Sequence, residues 1–371
     1  MDTFAFVIHP IDARRDIARK YPVARYLPER LIEWYIERRD PLVVAHVTGV
    51  RSATGARTEG WFIGCPLTPR QFLELPLEQV YAKLEQCGRI AEELGAGILG
   101  LGAFTSVVGD GGRTLAGRLR IPVTTGNSYT VATAVEGAVD AARRMGAELC
   151  DARVAVVGAS GSIGATCAEI LARRARSVAL VGRSAERLEA AARRVREAAT
   201  GAVDVYLDVA AGLRDADIVV TVSSAAKAIV LPSHMKGGAV VCDVARPRDV
   251  STAVARERPD VLVIEGGVVR VPGDMRCAKA GDEQRPFGFG FPPGTAYACM
   301  SETMALALEG RLESFTLGKE VSVAQVDEIA GICARHGFRL DGYRSFERLV
   351  TDEQVAAARA AAGRPAPTHA A

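Results

Sequence analysis

From Arg153 onward the chain alternates short apolar runs with helical patterns. The runs are VAVVGA, SVALVGR, VDVYLDV, DIVVTVS, AVVCDVA and DVLVIEGG, and helix-period stretches such as 185–199 lie between some of them. Runs that are apolar at nearly every position predict strands buried on both faces. Alternating with helices, such strands predict a parallel sheet covered on both sides.

The first 130 residues have a different texture. Stretches 4–8 and 43–50 read as strands, and 75–94 as an amphipathic helix with Leu77, Val80, Tyr81, Leu84, Cys87 and Ile90 on one face. A Gly-rich stretch, ILGLGAFTSVVGDGG, precedes a short strand, IPVTTGN, and a helix over 131–145. Beyond Gly267 an irregular Gly/Pro-rich segment leads to helices over 295–308 and Val323–His336. The division expected is an α/β domain over 1–130, a dinucleotide-binding domain over 131–285, a C-terminal helical segment over 286–352 and a flexible tail over 353–371.

Composition narrows the class. With 49% hydrophobic and 24% charged residues and a net charge of +2, the chain has the profile of a soluble globular enzyme. Basic and acidic residues are interspersed, which gives nucleic-acid binding no support. The start, MDTFAFVIHP, is not a signal peptide, and the longest uncharged stretch is too short to span a bilayer, so a cytoplasmic protein is expected. Eight cysteines without a C-x-x-C pair suggest neither a disulfide framework nor a metal site.

The first run opens VAVVGASGSIG. Gly158, Gly161 and Gly164 have the spacing of a phosphate-binding turn between a strand and a helix that begins near Ser162. Such a turn presents backbone N–H groups, here around Ser160, Gly161, Ser162 and Ile163, and a helix N-terminus to a pyrophosphate. Together with six strands, this predicts a Rossmann-type fold. The second run ends in Arg183 and Ser184, with Arg187 a turn later, where NAD-selective folds carry an acidic residue. A guanidinium there suits the 2′-phosphate of NADPH; the alternative is an ordinary surface arginine. Ser223, Ser224 and Asp243 end later strands and are expected beside the cofactor or as turn residues.

The chain resembles the aldehyde-forming long-chain acyl-[acyl-carrier-protein] reductases over residues 1 to about 340. The resemblance rests on SATG (52–55), GAFTS (102–106), TTGNSYT (124–130), VAVVGASGSIG, GGVV (266–269), ACMSETMALALEG (298–310) and RHGF (335–338). It implies reduction of a fatty acyl thioester to an aldehyde by NADPH, an acyl group carried on Cys299, and a substrate-binding role for the first domain. It also implies acyl carrier protein or CoA as the carrier and an aldehyde-consuming enzyme as a partner. A helix start after GFPPGT would favour the Cys299 thiolate. Cys65 and Cys277, the latter in a loop, are the next candidates, whereas Cys87, Cys167, Cys242 and Cys333 read as core. Thr105, Ser106, Thr125 and Asn127 are candidates for holding the thioester oxygen, or turn residues. His46, His234 and His336 read as isolated, and Arg14, Arg15, Arg19 and Arg25 could meet an acidic carrier.

Two other readings remain. A shikimate-type hydroxyl dehydrogenase shares the domain order but needs a Lys–Asp pair. The first 130 residues contain only Lys20 and Lys83, and TTGNSYT lacks the Asp. The other is a non-catalytic NADPH-binding protein.

Overall fold

In the computed structural model, residues 1–18, 21–225, 227–288 and 292–365 are described. They form two compact units. The first comprises Met1–Asn127, Val269–Glu320 and Glu328–Arg339, and the second Ser128–Val268, Val321–Asp327 and Leu340–Ala371.

The first unit begins with β1 (Thr3–Ile8), β2 (Leu42–Arg51), β3 (Arg57–Gly64), β4 (Ile98–Leu101) and β5 (Val123–Thr124). β1 pairs in parallel with β3 and β4, and β4 with β5, while β2 and β3 form an antiparallel hairpin. Alternation along these strands loads the two faces differently. Ala5, Val7, Ile63, Leu99 and Leu101 share a core with Val80, Leu84 and Cys87 of the helix Leu77–Glu93. Phe6 and Gly100 point the other way, and Gly100 comes so close to the helix Ala298–Glu309 that a Cβ there would lie 2.1 Å from Thr303 Oγ1. Full burial of each large apolar side chain contributes about 1.5–3 kcal/mol, and both faces are loaded.

The second unit holds β6 (Arg153–Val157), β7 (Ser177–Val181), β8 (Ala202–Tyr206), β9 (Ile218–Thr221), β10 (Val240–Asp243) and β11 (Leu262–Glu265). These are the six apolar runs, all paired in parallel. Their order, β8-β7-β6-β9-β10-β11, is that of a doubly wound dinucleotide fold, whose ligand crevice lies at the carboxyl ends of the strands where the order reverses. The expected fold class, α/β with a Rossmann-type sheet, is what the structure has.

The chain then departs from the expected division. After β12 (Val268–Arg270), β13 (Gly273–Lys279) and β14 (Asp282–Pro286) join the first sheet, with β13 antiparallel to β2. GDMRCAK is largely exposed or half-buried, which suits a strand near a sheet edge and not one covered on both faces. The stretch 286–352 is likewise no separate helical segment: Ala298–Glu309 belongs to the first unit and 340–350 to the second. Residues 295–297 are strand, so the helix starts at Ala298. The expected flexible tail contains a helix, Asp352–Ala361. Thr351 and Gln354 form its capping box, and Val355 and Ala358 are buried in the second unit's core. Residues 366–371 lie outside the described residues.

The stretch after β10 is tied down by buried carboxylates. Asp243 accepts bonds from Thr221 Oγ1 (2.9 Å), Ala245 N (3.1 Å) and Val250 N (3.1 Å). Asp249 accepts Ser223 Oγ at 2.5 Å and Ser223 N at 2.9 Å. Burial pushes the Asp249 carboxyl up to about 6 against the pull of those two bonds, and Asp243 adds to the rise. The folded state therefore binds this proton more tightly than the unfolded state. The resulting cost develops as pH climbs from the ordinary carboxylate range through 6, and is complete above it. Asp249→Asn can still pair with Ser223, and we expect it to stabilise the protein at pH 8 by on the order of 2–3 kcal/mol, with the gain fading toward pH 4. Thermal unfolding of both proteins across that range checks this; an unchanged or lower Tm at pH 8 contradicts it.

Candidate active site and dinucleotide turn

Because β1, β4 and β5 run parallel, the segments that follow them emerge at one edge of the first sheet. These are His9, the GAFTS stretch and Thr125–Asn127. Cys299 joins them as the second residue of the helix Ala298–Glu309, whose N-cap, Tyr297, makes no side-chain capping bond. Two glycines measure how tightly the cysteine is seated. Gly126 has φ +70°, and a Cβ on it would fall 2.4 Å from Cys299 Cβ. A Cβ on Gly102 would lie 3.4 Å from the sulfur. GAFTS and TTGN, far apart in sequence from Cys299, thus wall it on two sides.

Beneath the cysteine lies a polar network that sequence reading missed. Glu302 is fully buried, and its Oε1 accepts the hydroxyls of Thr124 (2.6 Å) and Thr316 (2.8 Å). Thr124 Oγ1 in turn accepts Thr316 N at 3.2 Å, and Thr303 Oγ1 donates to the Cys299 carbonyl at 3.2 Å. These bonds pin the first turns of the helix to the end of β5. The sequence signal was Glu302, the one charge in the stretch 294–308, three residues after Cys299.

The four candidates for holding a thioester oxygen separate clearly. Thr105 Oγ1 donates to Gly102 O (2.8 Å), Ser106 Oγ to Ala103 O (2.7 Å) and Thr125 Oγ1 to Thr316 O (3.0 Å). The first two hydroxyls shape their own turn, and the third ties Thr125 to Thr316. Asn127, 4% exposed and next to Gly126, has no side-chain hydrogen bond among the described residues.

Of the seven other cysteines, Cys150 is exposed and the remaining six fall away. Cys65 is buried in the core, and Cys277 lies in β13 instead of a loop, with burial pushing its thiol up to about 12. Burial also pushes Cys167 to about 12, and Cys87, Cys242 and Cys333 are buried as expected. His336 is not isolated: Nδ1 lies 2.8 Å from Ser52 Oγ and Nε2 lies 2.6 Å from Glu309 Oε2. The motifs SATG and RHGF meet there. Ser52 follows β2, which runs antiparallel to β3, so this cluster sits at the opposite edge of the sheet from Gly102. Arg14, Arg15 and Arg25 are exposed; Arg19 and Lys20 lie outside the described residues.

In the second unit, Gly158, φ +83°, follows β6, and the helix Ser162–Ala172 starts after it without a side-chain cap. A Cβ on Gly164 would lie 2.4 Å from Gly158 O, so helix and turn are in contact. On Gly161 it would meet only Gly158 O at 3.3 Å, which leaves the turn's outer side open around Ser160, Gly161, Ser162 and Ile163. Arg183 is exposed just beyond β7, with no carboxylate paired to it among the described residues. Ser184 instead caps the helix Ala185–Ala198, and Arg187 Nη2 donates to Ser160 O at 3.3 Å. Ser223 is engaged by Asp249, Ser224 is exposed, and Asp243 is spent on the stretch after β10. Arg246 and Arg248 in that stretch both pair with Glu265, at 3.3 and 2.7 Å.

Comparison with known proteins divides along the same line. The family model for shikimate / quinate 5-dehydrogenase matches residues 140–265, within the second unit. That unit is a Rossmann-type fold. A long-chain acyl-[acyl-carrier-protein] reductase of Synechococcus elongatus is 27% identical over 343 residues, 89% of this chain and 95% of the relative. An aminotransferase, PigE, of a Serratia strain is 29% identical over 320 residues, 86% of this chain, and the chain spans only 37% of its length. The NAD-dependent malic enzyme of Thermotoga maritima superposes over 97% of this chain and 84% of its own, at 14% identity and a TM-score of 0.42.

The buried carboxylate yields a direct expectation. Glu302→Ala strands two buried hydroxyls and leaves a void under Cys299, and should lower stability by about 3 kcal/mol, with Glu302→Gln milder because an amide oxygen still accepts. Thermal unfolding measures both; an alanine variant as stable as the parent would show the network to be dispensable.

Proposed function

We propose that this protein reduces a long-chain fatty acyl thioester to the fatty aldehyde with NADPH, through an acyl group held on Cys299. The observation that carries this reading is the seating of Cys299 at an uncapped helix start between Gly102 and Gly126. Similarity to the Synechococcus reductase spans both units, and similarity to oxidoreductases supports NAD(P)-dependent oxidoreduction more broadly. The shikimate-type match stays within the second unit, which favours the thioester reading over a hydroxyl dehydrogenase.

The helix dipole favours the Cys299 thiolate, which attacks the thioester carbonyl. A carbon–sulfur bond to Cys299 forms, the bond to the carrier sulfur breaks, and the carrier leaves as a thiolate that takes up a proton. The Asn127 amide is the side chain left to hold the carbonyl oxygen. Bound NADPH would supply a hydride to the acyl carbon, after which Cys299 leaves as thiolate and the aldehyde is released. The open turn at Gly158–Gly164 would receive the pyrophosphate, and Arg183, exposed just beyond β7, would meet the 2′-phosphate. Arg14, Arg15 and Arg25 offer positive charge to an acidic acyl carrier protein; acyl-CoA is the alternative carrier. The aldehyde then passes to an enzyme that consumes it.

Incubation with a long-chain acyl thioester, followed by intact-mass analysis, should show one acyl adduct that Cys299→Ala abolishes. No adduct on the parent protein, or an adduct surviving the substitution, sinks the mechanism. For the cofactor, Arg183→Ser should weaken NADPH binding about tenfold or more and leave NADH binding little changed, because a charge-assisted pair is lost only with the 2′-phosphate. Fluorescence titration with both nucleotides decides; equal losses would make Arg183 a surface residue.

A further inference from the structure

The turn beside Cys299 is built on an improbable residue. Ala103 has φ 49° and ψ −128°, a region that residues bearing a Cβ seldom enter, at a cost of roughly 1–3 kcal/mol. The other described non-glycine residues with positive φ are Phe346 and Glu347, in the second unit. Ala103 directly follows Gly102, the residue packed on the Cys299 sulfur. Strain of this kind persists only where neighbours over-determine it.

The neighbour is His9, just past the end of β1. Its Nε2 lies 3.3 Å from the Phe104 N–H, which donates to it, and its Nδ1 lies 3.1 Å from the Pro10 carbonyl oxygen. A carbonyl can only accept, so Nδ1 carries the proton and Nε2 is the free acceptor, the one tautomer that satisfies both contacts. Phe72 and Phe104 pack edge-on against the ring, with centroids 5.0 and 6.2 Å away. Enclosure of the ring pushes its pKa down to about 4, although the Pro10 carbonyl and Asp16 favour the charged form. The imidazole is thus neutral at ordinary pH. Thr105 and Ser106 complete the turn by bonding back to Gly102 and Ala103, but they reach only within it. His9 alone among these side chains ties the turn to the sheet.

We propose that His9 is a positioning residue for the chemistry at Cys299: by accepting the Phe104 N–H, it holds the strained Gly102–Phe104 turn against the thiol. This rests on the reading of Cys299 as the acylated residue. His9 neither touches the reacting atoms nor transfers a proton; it determines where the wall of the site stands.

The test uses the full chain with two reagents, iodoacetamide and palmitoyl-CoA, and peptide mass spectrometry to read modification at Cys299 apart from exposed Cys150. His9→Leu, which fills the space without an acceptor, should slow both modifications about tenfold, since small displacements at a reacting centre are costly. His9→Gln, whose amide oxygen can accept the Phe104 N–H, should recover most of the rate. His9→Leu reacting like the parent would overturn the proposal, as would His9→Gln failing to exceed it. If the parent takes iodoacetamide at Cys299 but no acyl group, the thioester reading fails while the alkylation rates still decide the role of His9. Should His9→Leu not fold, His9→Asn supplies the measurement, because its amide can still donate to the Pro10 carbonyl but is too short to reach the Phe104 N–H. Slower modification of Cys299 in that variant supports the proposal, and an unchanged rate overturns it.

Discussion

The first unit depends on the close seating of one helix on one sheet. Ala298–Glu309 lies on β4 where Gly100 leaves no room for a side chain, and the same helix start is walled by Gly102 and Gly126. Contact this close would leave a buried carboxylate desolvated and costly, were Glu302 not met by two threonine hydroxyls. Those hydroxyls come from the end of β5 and from Thr316, so the network is also what ties those segments to the helix. Cys299 therefore sits on a support built from rigid elements, the arrangement a reactive group needs if its geometry is to be held.

The second unit solves a different problem. A parallel sheet covered on both sides leaves its ligand edge to the segments after the strands, and those segments need internal polar bonds to stay in place. Asp243 and Asp249 supply them after β10 and β9, and Glu265 gathers Arg246 and Arg248. The charges in DVARPRDV are largely consumed in this way. Among the described residues, the glycine turn, Ser224 and Arg183 remain turned outward, a set that suits a phosphate-bearing ligand.

The sequence carried the six strands of the second unit and the turn after β6, because both are written in contiguous residues: apolar runs, and glycines three apart. Helix Val323–His336 was legible for the same reason, its periodicity being local. What could not be read depends on partners far apart along the chain. Glu302 meets Thr124 across 178 residues, and His9 meets Phe104 across 95. Neither contact leaves a periodicity or a spacing. The return of β13 to the first sheet was hidden too, since a half-exposed strand near an edge has no doubly apolar run to announce it. The tail helix Asp352–Ala361 was masked by composition: a run rich in alanine reads as solvated until Val355 and Ala358 find a core.

Function in such a chain is decided by the unit that does not hold the nucleotide. A dinucleotide fold positions a hydride donor and is shared by proteins of many activities, so a match confined to it is compatible with several chemistries. A hydroxyl dehydrogenase of the shikimate type needs a lysine free to take part in proton transfer. Lys83 donates to the Arg39 carbonyl at 2.7 Å, on the helix that packs the far side of the sheet from Phe6 and Gly100. TTGNSYT lacks the aspartate that reading needs, and its Thr124 and Thr125 are committed to Glu302 and Thr316. A cysteine at a helix start, between two glycines that admit no side chain, is instead what the same edge of the sheet presents. On the proposed function, a bound hydride donor and the Cys299 thiol would be used together, in reducing a carbonyl held as a thioester.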